Sequence, residues 1–149
     1  MALSRTRQYV LRMLDYARKL LEYTKKYDRD SFIEDSLIQH AVGMCLINIG
    51  ELQNRLPDEF KERNTSIPWS KIRGLRNILT HDYFSVDWIT IWEVIQDGIP
   101  NLVTELEQSL KEIEAESGHF DFDENYKQNL FLLAKADKEF EDKCEDGDE

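Results

Sequence analysis

The chain has 149 residues and a net charge of −11, with 41% hydrophobic and 33% charged residues. This balance is typical of one folded domain with a single core, and it excludes an intrinsically disordered chain. No apolar run approaches the roughly 18 residues that a membrane span needs, and the first residues are too charged for a secretory signal, so we expect a cytoplasmic protein without membrane contact.

Apolar residues that recur at intervals of three and four predict two long helices in the first third of the chain. The first is expected from about Ser4 to Tyr27. The second is expected to begin near Ser31, because Ser31 and Glu34 fit a capping box, and to end before Pro57. The apolar stripe of the first helix consists of Val10, Met13, Leu14, Ala17, Leu20 and Leu21.

The middle of the second predicted helix is strongly apolar. Few polar residues interrupt residues 41–49, so we expect this helix to be buried on most sides, with His40 half-buried at its border. Gly50 within this predicted helix costs about 1 kcal/mol relative to alanine. Because glycine has no side chain, it would allow another helix to approach closely at this point. Glu51 is either a residue of a cleft or a solvated carboxylate, and the sequence leaves both interpretations open.

The rest of the chain predicts further helices. After a short helical turn, one helix is expected over residues 68–80, and Ser85 is expected to cap the next, over residues 86–96. Pro100 is expected to break or kink the chain before a last long helix over residues 101–116. No segment alternates apolar and polar residues for long enough to predict a strand.

These elements predict an all-α fold, an up-and-down antiparallel bundle of about five helices. We expect residues 1–118 to form the helical domain and residues 119–149 to be an acidic C-terminal extension, with one short helix and a disordered end. From Glu112 onward the chain carries 14 acidic and 4 basic residues, against 16 and 15 before it. Residues 55–76 carry six basic and three acidic residues, a modest basic region that suits a phosphate backbone.

One segment, residues 67–84, combines side chains that suit phosphate chemistry. An arginine (Arg76), a histidine (His81) and a tyrosine (Tyr83) lie within eight residues. Arginine is always charged, histidine is the side chain type whose ordinary pKa is near neutral, and tyrosine adds a phenol. Asn77 and Thr80 lie between them and can donate or accept hydrogen bonds. This segment is therefore the candidate site.

The pattern Arg-Asn-x3-His-x-Tyr resembles the R-x4-H-x-Y motif of the HEPN superfamily, in particular the HepT-like toxins that pair with MNT-type nucleotidyltransferases. Further segments of the chain follow the same order as in that family. They are A-V-x3-L-x2-I-G-E (Ala41 to Glu51), I-P-W (Ile67 to Trp69), H-D-Y-F (His81 to Phe84) and Trp92 with Pro100. The resemblance covers about Tyr9 to Leu110.

The resemblance implies an all-α homodimer with metal-independent endoribonuclease activity and no cofactor, acting as the toxin of a toxin–antitoxin system. It implies that Arg76 and His81 are catalytic, with Asn77 and Thr80 in support. It also implies that a cognate MNT-type nucleotidyltransferase antitoxin neutralises the toxin by AMPylation of Tyr83. A phosphate placed beside Arg76 would compete for the charge that RNA needs.

Such residues can cut RNA without a metal when the substrate's own 2′-OH attacks the adjacent phosphorus. The reaction needs a base for the 2′-OH, an acid for the departing 5′-oxygen and positive charge on the phosphoryl oxygens. His81 can transfer protons at neutral pH, and Arg76 can hold the phosphate with its planar fork of donors. The products would be a 2′,3′-cyclic phosphate and a 5′-hydroxyl.

The spacing of the two catalytic candidates raises a geometric problem. At about 100° per residue, Arg76 and His81 point about 140° apart on an unbroken helix, so one face cannot present both. Either the helix unwinds after Thr80, or Arg76 and His81 of two subunits line one cleft across a two-fold axis. A dimer would also supply one histidine as acid and another as base.

Two other interpretations stay open. The chain can be a non-catalytic helical binding module that docks a nucleotidyltransferase and presents its substrate or nucleotide, which the acidic tail favours because it repels RNA. It can also be a purely structural bundle. In that case an acidic residue is expected to pair with Arg76, which lies beside the apolar face of its helix.

Overall fold

The computed structural model describes residues 2–117, with side chains from Ser4 onward, and this part of the chain contains helices and short links but no strand. The predicted all-α class is confirmed. The acidic extension over residues 119–149 lies outside the described residues, so that prediction and the domain boundary at residue 118 stay predictions. The α-helices are α1 (Ala2–Thr24), α2 (Arg29–Glu34), α3 (Ser36–Asn54), α4 (Asp58–Arg63), α5 (Trp69–His81), α6 (Trp88–Glu93) and α7 (Ile99–Ser117).

The core lies where three long helices meet. Helix α1 packs on α3 and α7, and α3 also packs on α5. Five residues of the predicted α1 stripe are at most 1% exposed, whereas the sixth, Leu21, is only partly buried. No helix within residues 2–117 is long and apolar enough to cross a membrane. The bundle therefore holds α5 against α3, which positions the candidate site.

The single helix predicted to begin near Ser31 is two helices. Asp28 caps α2: its carboxylate accepts the Ser31 N–H at 2.8 Å, and the Ser31 hydroxyl accepts the Asp28 N–H at 3.0 Å. Asp35 ends α2 and caps α3, where its carboxylate accepts the Leu37 N–H at 3.0 Å. The capping box predicted at Ser31 and Glu34 is wrong, because aspartate caps as well as serine and lies three residues earlier.

Helix α3 is less buried than its apolar sequence predicts. Leu37 is 79% exposed and Met44 is 59% exposed, whereas Val42 and Ile49 on the opposite side are at most 1% exposed. The apolar run therefore supplies both a buried face and an exposed apolar face. Periodicity alone does not separate these two cases.

The helix after the candidate segment begins later than predicted. Ser85 lies in a 3₁₀ turn, Tyr83–Ser85, and its hydroxyl does not cap α6. Asp87 caps α6 instead, where its carboxylate accepts the Ile89 N–H at 3.0 Å and the Thr90 hydroxyl at 2.8 Å. The prediction of Ser85 as the cap is therefore wrong by two residues.

Pro100 does not break the chain. Helix α6, a π-helical turn (Val94–Gly98) and α7 follow one another without interruption, and the Ile99 N–H donates to the Val94 carbonyl. A proline ring clashes with the carbonyl four residues earlier in a regular α-helix. The π turn holds one extra residue, which changes the backbone path just before Pro100 and lets the helix continue.

Candidate active site

The candidate residues lie on α5 or directly after it. The helix starts at Trp69, after Pro68, and the Asp82 N–H donates to the Ile78 carbonyl at its end. The predicted helix over residues 68–80 is therefore confirmed to within one residue at each end. Helix α5 packs on α3, so its exposed side carries the polar residues of the motif.

Arg76 is held by an ion pair with Glu51 of α3. Its Nε donates to Glu51 Oε1 at 2.6 Å, its Nη2 donates to the same oxygen, and its Nη1 donates to Asn77 Oδ1 at 2.9 Å. The Arg76 side chain is 21% exposed and that of Glu51 is 42% exposed, so the pair lies at the protein surface. Glu51 thus belongs to the candidate site, and the acidic partner that the structural interpretation expects for Arg76 is present.

Gly50 allows α3 and α5 to meet beside this ion pair. A Cβ atom built on Gly50 would overlap the Cβ and Cγ atoms of Arg76. The close helix approach predicted from Gly50 is therefore confirmed. Glu51 is the next residue of α3 after Gly50. The close contact at Gly50 therefore also brings the Glu51 carboxylate within reach of the Arg76 guanidinium.

His81 is exposed at the end of α5. Within residues 4–117 its ring makes no hydrogen bond and no ion pair. In contrast, the Thr80 hydroxyl donates a hydrogen bond to the Arg76 carbonyl oxygen at 2.8 Å, so this proton is not available to a substrate. The imidazole is therefore available to a group outside this part of the chain.

Arg76 and His81 do not share one face of the helix. Helix α5 is continuous through Thr80 to His81, so the first of the two alternatives, unwinding after Thr80, does not occur in this chain. The two side chains consequently leave the helix about 140° apart. Of the five N–H donors of Arg76, three are used by Glu51 and Asn77, which leaves two for another ligand.

Tyr83 lies in the 3₁₀ turn with its ring packed between two aromatic neighbours. Its ring centroid is 5.3 Å from that of His40 and 5.6 Å from that of Trp88. The hydroxyl oxygen is buried and has no hydrogen-bond partner among the described residues. Burial raises the pKa of the phenol above its usual value. The hydroxyl that AMPylation would use is therefore covered in this conformation.

His40 is not the half-buried histidine that the sequence predicts. Its side chain is exposed, with Nδ1 within hydrogen-bond reach of the Ser36 carbonyl oxygen, and its ring lies on Tyr83. The apolar run that follows His40 predicted burial, but the face of α3 that carries His40 is exposed to solvent. His40 is thus a neighbour of the candidate site that the sequence did not reveal.

The family of the chain follows from comparison with known proteins. A family model described as HepT-like, "Ribonuclease HepT-like", matches residues 13–113. The chain belongs to the HepT-like family. The matched range contains the motif from Arg76 to Tyr83 and the further segments of the resemblance, from Ala41 to Pro100. Among residues 2–117 of this HepT-like chain, no three His, Cys, Asp or Glu side chains are grouped so that they could hold a metal ion.

Several curated relatives of this HepT-like chain are named as ribonucleases. "Putative RNase MJ1380" of Methanocaldococcus jannaschii is 36% identical over 95 residues, which cover 64% of this chain and 87% of the relative. "Putative RNase TTE0752" of Caldanaerobacter subterraneus is 37% identical over 72% of this chain and 92% of the relative. "Probable ribonuclease HepT" of Thermococcus cleftensis is 33% identical over 60% and 82%. No solved structure matches the chain significantly.

Proposed function

We propose that this HepT-like chain is a metal-independent endoribonuclease toxin that acts in the cytoplasm, with Arg76 and His81 as its catalytic residues. The observation that carries the proposal is the exposed His81 ring, which no group within residues 4–117 engages, at the end of the helix that presents Arg76. Histidine is the side chain type best suited to accept and donate protons near neutral pH, and this one is open to a substrate. The names of the relatives support RNA as the substrate.

In the proposed reaction the 2′-oxygen of the RNA forms a bond to the adjacent phosphorus while the bond from phosphorus to the 5′-oxygen breaks. A neutral imidazole accepts the proton of the 2′-OH, and a protonated imidazole donates one to the departing 5′-oxygen. The two free donors of Arg76 bind the phosphoryl oxygens, where negative charge increases in the transition state. The products are a 2′,3′-cyclic phosphate and a 5′-hydroxyl.

The proposed enzyme is a homodimer, because one chain provides one His81 and points it away from Arg76. Leu37, Met44 and Glu51 lie seven residues apart, so the exposed apolar face of α3 continues directly to the ion pair at Arg76. A second copy that covers this face would bring its own α5 beside the first. We therefore propose that Arg76 and His81 of both subunits line one cleft.

We also propose that a cognate MNT-type nucleotidyltransferase antitoxin silences the enzyme by AMPylation of Tyr83. Among the described residues the hydroxyl has no hydrogen-bond partner to lose when the ring leaves its pocket, and it gains hydrogen bonds to water outside. Intact-mass measurement after incubation with the partner and ATP tests this step on the wild type and on Tyr83→Phe. Equal modification of both chains would remove Tyr83 from the role.

The central test compares how fast the wild type and His81→Ala cleave a single-stranded RNA, with both proteins freed of any partner protein. Loss of one acid–base group is expected to lower the rate by about 10²- to 10⁴-fold. Lys71→Ala is the matched control, because Lys71 is also an exposed basic side chain of α5 but lies in its first turn, about 15 Å along the helix from His81. Cleaved ends without a 2′,3′-cyclic phosphate, or equal rates for wild type and His81→Ala, would contradict the proposal.

A second candidate function is a non-catalytic binding module that docks a nucleotidyltransferase. It needs no catalytic arginine, and the Arg76–Glu51 ion pair favours a structural role for Arg76. Glu51→Gln separates the two. If Arg76 binds phosphate, removal of the adjacent negative charge is expected to raise RNA affinity by about five-fold, as about 1 kcal/mol of repulsion disappears. If the pair is structural, stability falls and RNA affinity does not change. Glu34→Gln on α2 is the control.

A further inference from the structure

Two basic side chains outside the Arg76–His81 site lie on neighbouring helices that contact each other. They are Lys61 of α4 and Arg73 of α5, and neither forms an ion pair within residues 4–117. The indole N–H of Trp69 donates to the carbonyl oxygens of Lys61 and Asn64, at 3.3 Å and 3.1 Å. This contact fixes the end of α4 against the first turn of α5. Arg73 lies one turn further along α5, on the same side as Trp69.

The electrostatics agree with this placement. The pKa of the Lys61 ammonium is lowered, first by partial burial and then by the positive charge of Arg73, while Asp58 has the opposite effect. Two cations that repel each other at a protein surface are unfavourable unless an anion neutralises them. Asp58 offsets part of the repulsion at Lys61, but no described acidic side chain forms an ion pair with Lys61 or Arg73. A ligand of negative charge would therefore remove the repulsion.

The position of Arg73 connects the pair to the proposed catalytic site. Arg73, Asn77 and His81 recur at intervals of four residues, so they form one exposed ridge of α5 about 12 Å long. Asn77, in the middle of the ridge, accepts a hydrogen bond from Arg76. A strand that follows the ridge would thus meet the pair of cations on one side of Arg76 and the imidazole on the other.

We propose that Lys61 and Arg73 bind a second phosphate of the same RNA strand, next to the phosphate at Arg76 and His81. The proposal rests on the ribonuclease function and adds a substrate-positioning site to it. Arg73 can bind a phosphodiester through two parallel hydrogen bonds, and Lys61 adds a point charge. Such contacts fix the register of the strand and carry no base preference.

The experiment measures binding of a single-stranded RNA to the full chain, in a His81→Ala background that leaves the RNA intact. Arg73→Gln and Lys61→Gln are each expected to weaken binding at low salt by about ten-fold, the effect of one charge-assisted contact. Each is also expected to reduce the slope of log affinity against log salt by about 0.7, the value for one lost phosphate contact on a single strand. Unfolding curves of both variants confirm that the fold is retained.

Lys71→Gln is the matched control. Lys71 is an exposed cation on the same helix without an ion pair in the described part of the chain, but it points about 160° away from Arg73. Its removal is expected to leave the salt slope unchanged. Equal slopes for Arg73→Gln and Lys71→Gln, or no RNA binding at all by the intact chain, overturn the proposal.

Cleavage by the otherwise wild-type chain separates this proposal from the ribonuclease function. If the chain cuts RNA and Arg73→Gln has the same slope as the control, the second phosphate site fails and the ribonuclease remains. If the chain does not cut RNA but Arg73→Gln lowers the slope, the ribonuclease proposal fails and the phosphate site remains. A dinucleotide with a single phosphate provides a further check, because Arg73→Gln is expected to slow its cleavage less than that of a longer RNA.

Discussion

Two neighbouring residues of α3 set the position of the Arg76 guanidinium. Gly50 lets α5 come close to α3, and Glu51 then binds the guanidinium at the surface. A side chain at residue 50 would meet the first carbons of Arg76, so it would move the whole arginine away from Glu51. The consequence is that a single methyl group at this point should change both packing and site geometry.

Gly50→Ala is therefore expected to lower the free energy of unfolding by about 1–3 kcal/mol, the usual cost of overpacking, and to lower RNA cleavage as well. Urea denaturation and a cleavage assay on the same preparation measure the two effects. Gly74→Ala is the matched control, because Gly74 lies in the middle of α5 with no atom within 4 Å of the added Cβ. This substitution should raise the unfolding free energy by about 0.4–1 kcal/mol. Similar results for both glycines would contradict the tight contact.

The sequence identified the residue types of the site but not their partners. Arg76, His81 and Tyr83 stand out by chemistry within one segment, whereas the carboxylate that binds Arg76 is 25 residues away on another helix. Burial of the Tyr83 hydroxyl also depends on His40 and Trp88, which pack on the ring from other elements. Such contacts arise from tertiary packing, so periodicity and spacing could not predict them.

At the scale of elements, two of the errors in prediction concern the residue that caps a helix start. Wherever a serine competed with a nearby aspartate, the aspartate is the cap: Asp28 over Ser31 and Asp87 over Ser85. Both residue types are good caps, so local preference does not decide between them. The apolar stripes that face the core were predicted well, since burial of a whole face is worth more than any one cap.

Asp87→Ala is expected to lower the Tm by a few degrees, because the Ile89 N–H and the Thr90 hydroxyl lose their acceptor. Ser85→Ala is the matched control and should leave the Tm unchanged, since Ser85 caps no helix. Thermal unfolding of the two variants beside the wild type measures the difference. A larger loss for Ser85→Ala would show that the cap lies at the position the sequence suggests.

The three N-cap carboxylates also predict a dependence of stability on pH. In each of Asp28, Asp35 and Asp87 a donated hydrogen bond lowers the pKa below its usual value. The main donors are the Ser31 N–H, the Tyr27 hydroxyl and the Thr90 hydroxyl. Stabilisation by a carboxyl of lowered pKa is present above its unfolded value, about 3.9, and is lost as the pH falls through the folded value.

These three groups should therefore leave the urea midpoint of unfolding nearly constant between about pH 7 and pH 5. At pH values under about 4 the midpoint should decrease. Asp87→Asn removes one titrating group and should make the acid fall less steep. An equally steep fall in this variant would assign the pH dependence to carboxylates other than the caps.

At the scale of the whole molecule, the proposed mechanism cannot be completed by the arrangement on α5 of one subunit. The helix continues to His81, so Arg76 and His81 of one chain diverge, and each chain carries one histidine at this site. The exposed Leu37 and Met44 provide a surface that a second subunit can cover. If both histidines of a two-fold cleft are needed, a dimer with one altered subunit should be inactive.

Mixing the wild type with His81→Ala tests this dependence between subunits. After complete subunit exchange at equal concentrations, dimers with two intact histidines make up about one quarter of the total for a two-fold oligomer. The cleavage rate is therefore expected to fall to about one quarter of that of wild-type protein at the same total concentration. The same mixture assayed before exchange should retain about one half, and it serves as the control. If the rate stays at one half after exchange, each chain cuts RNA with its own histidine alone, and the shared cleft is excluded.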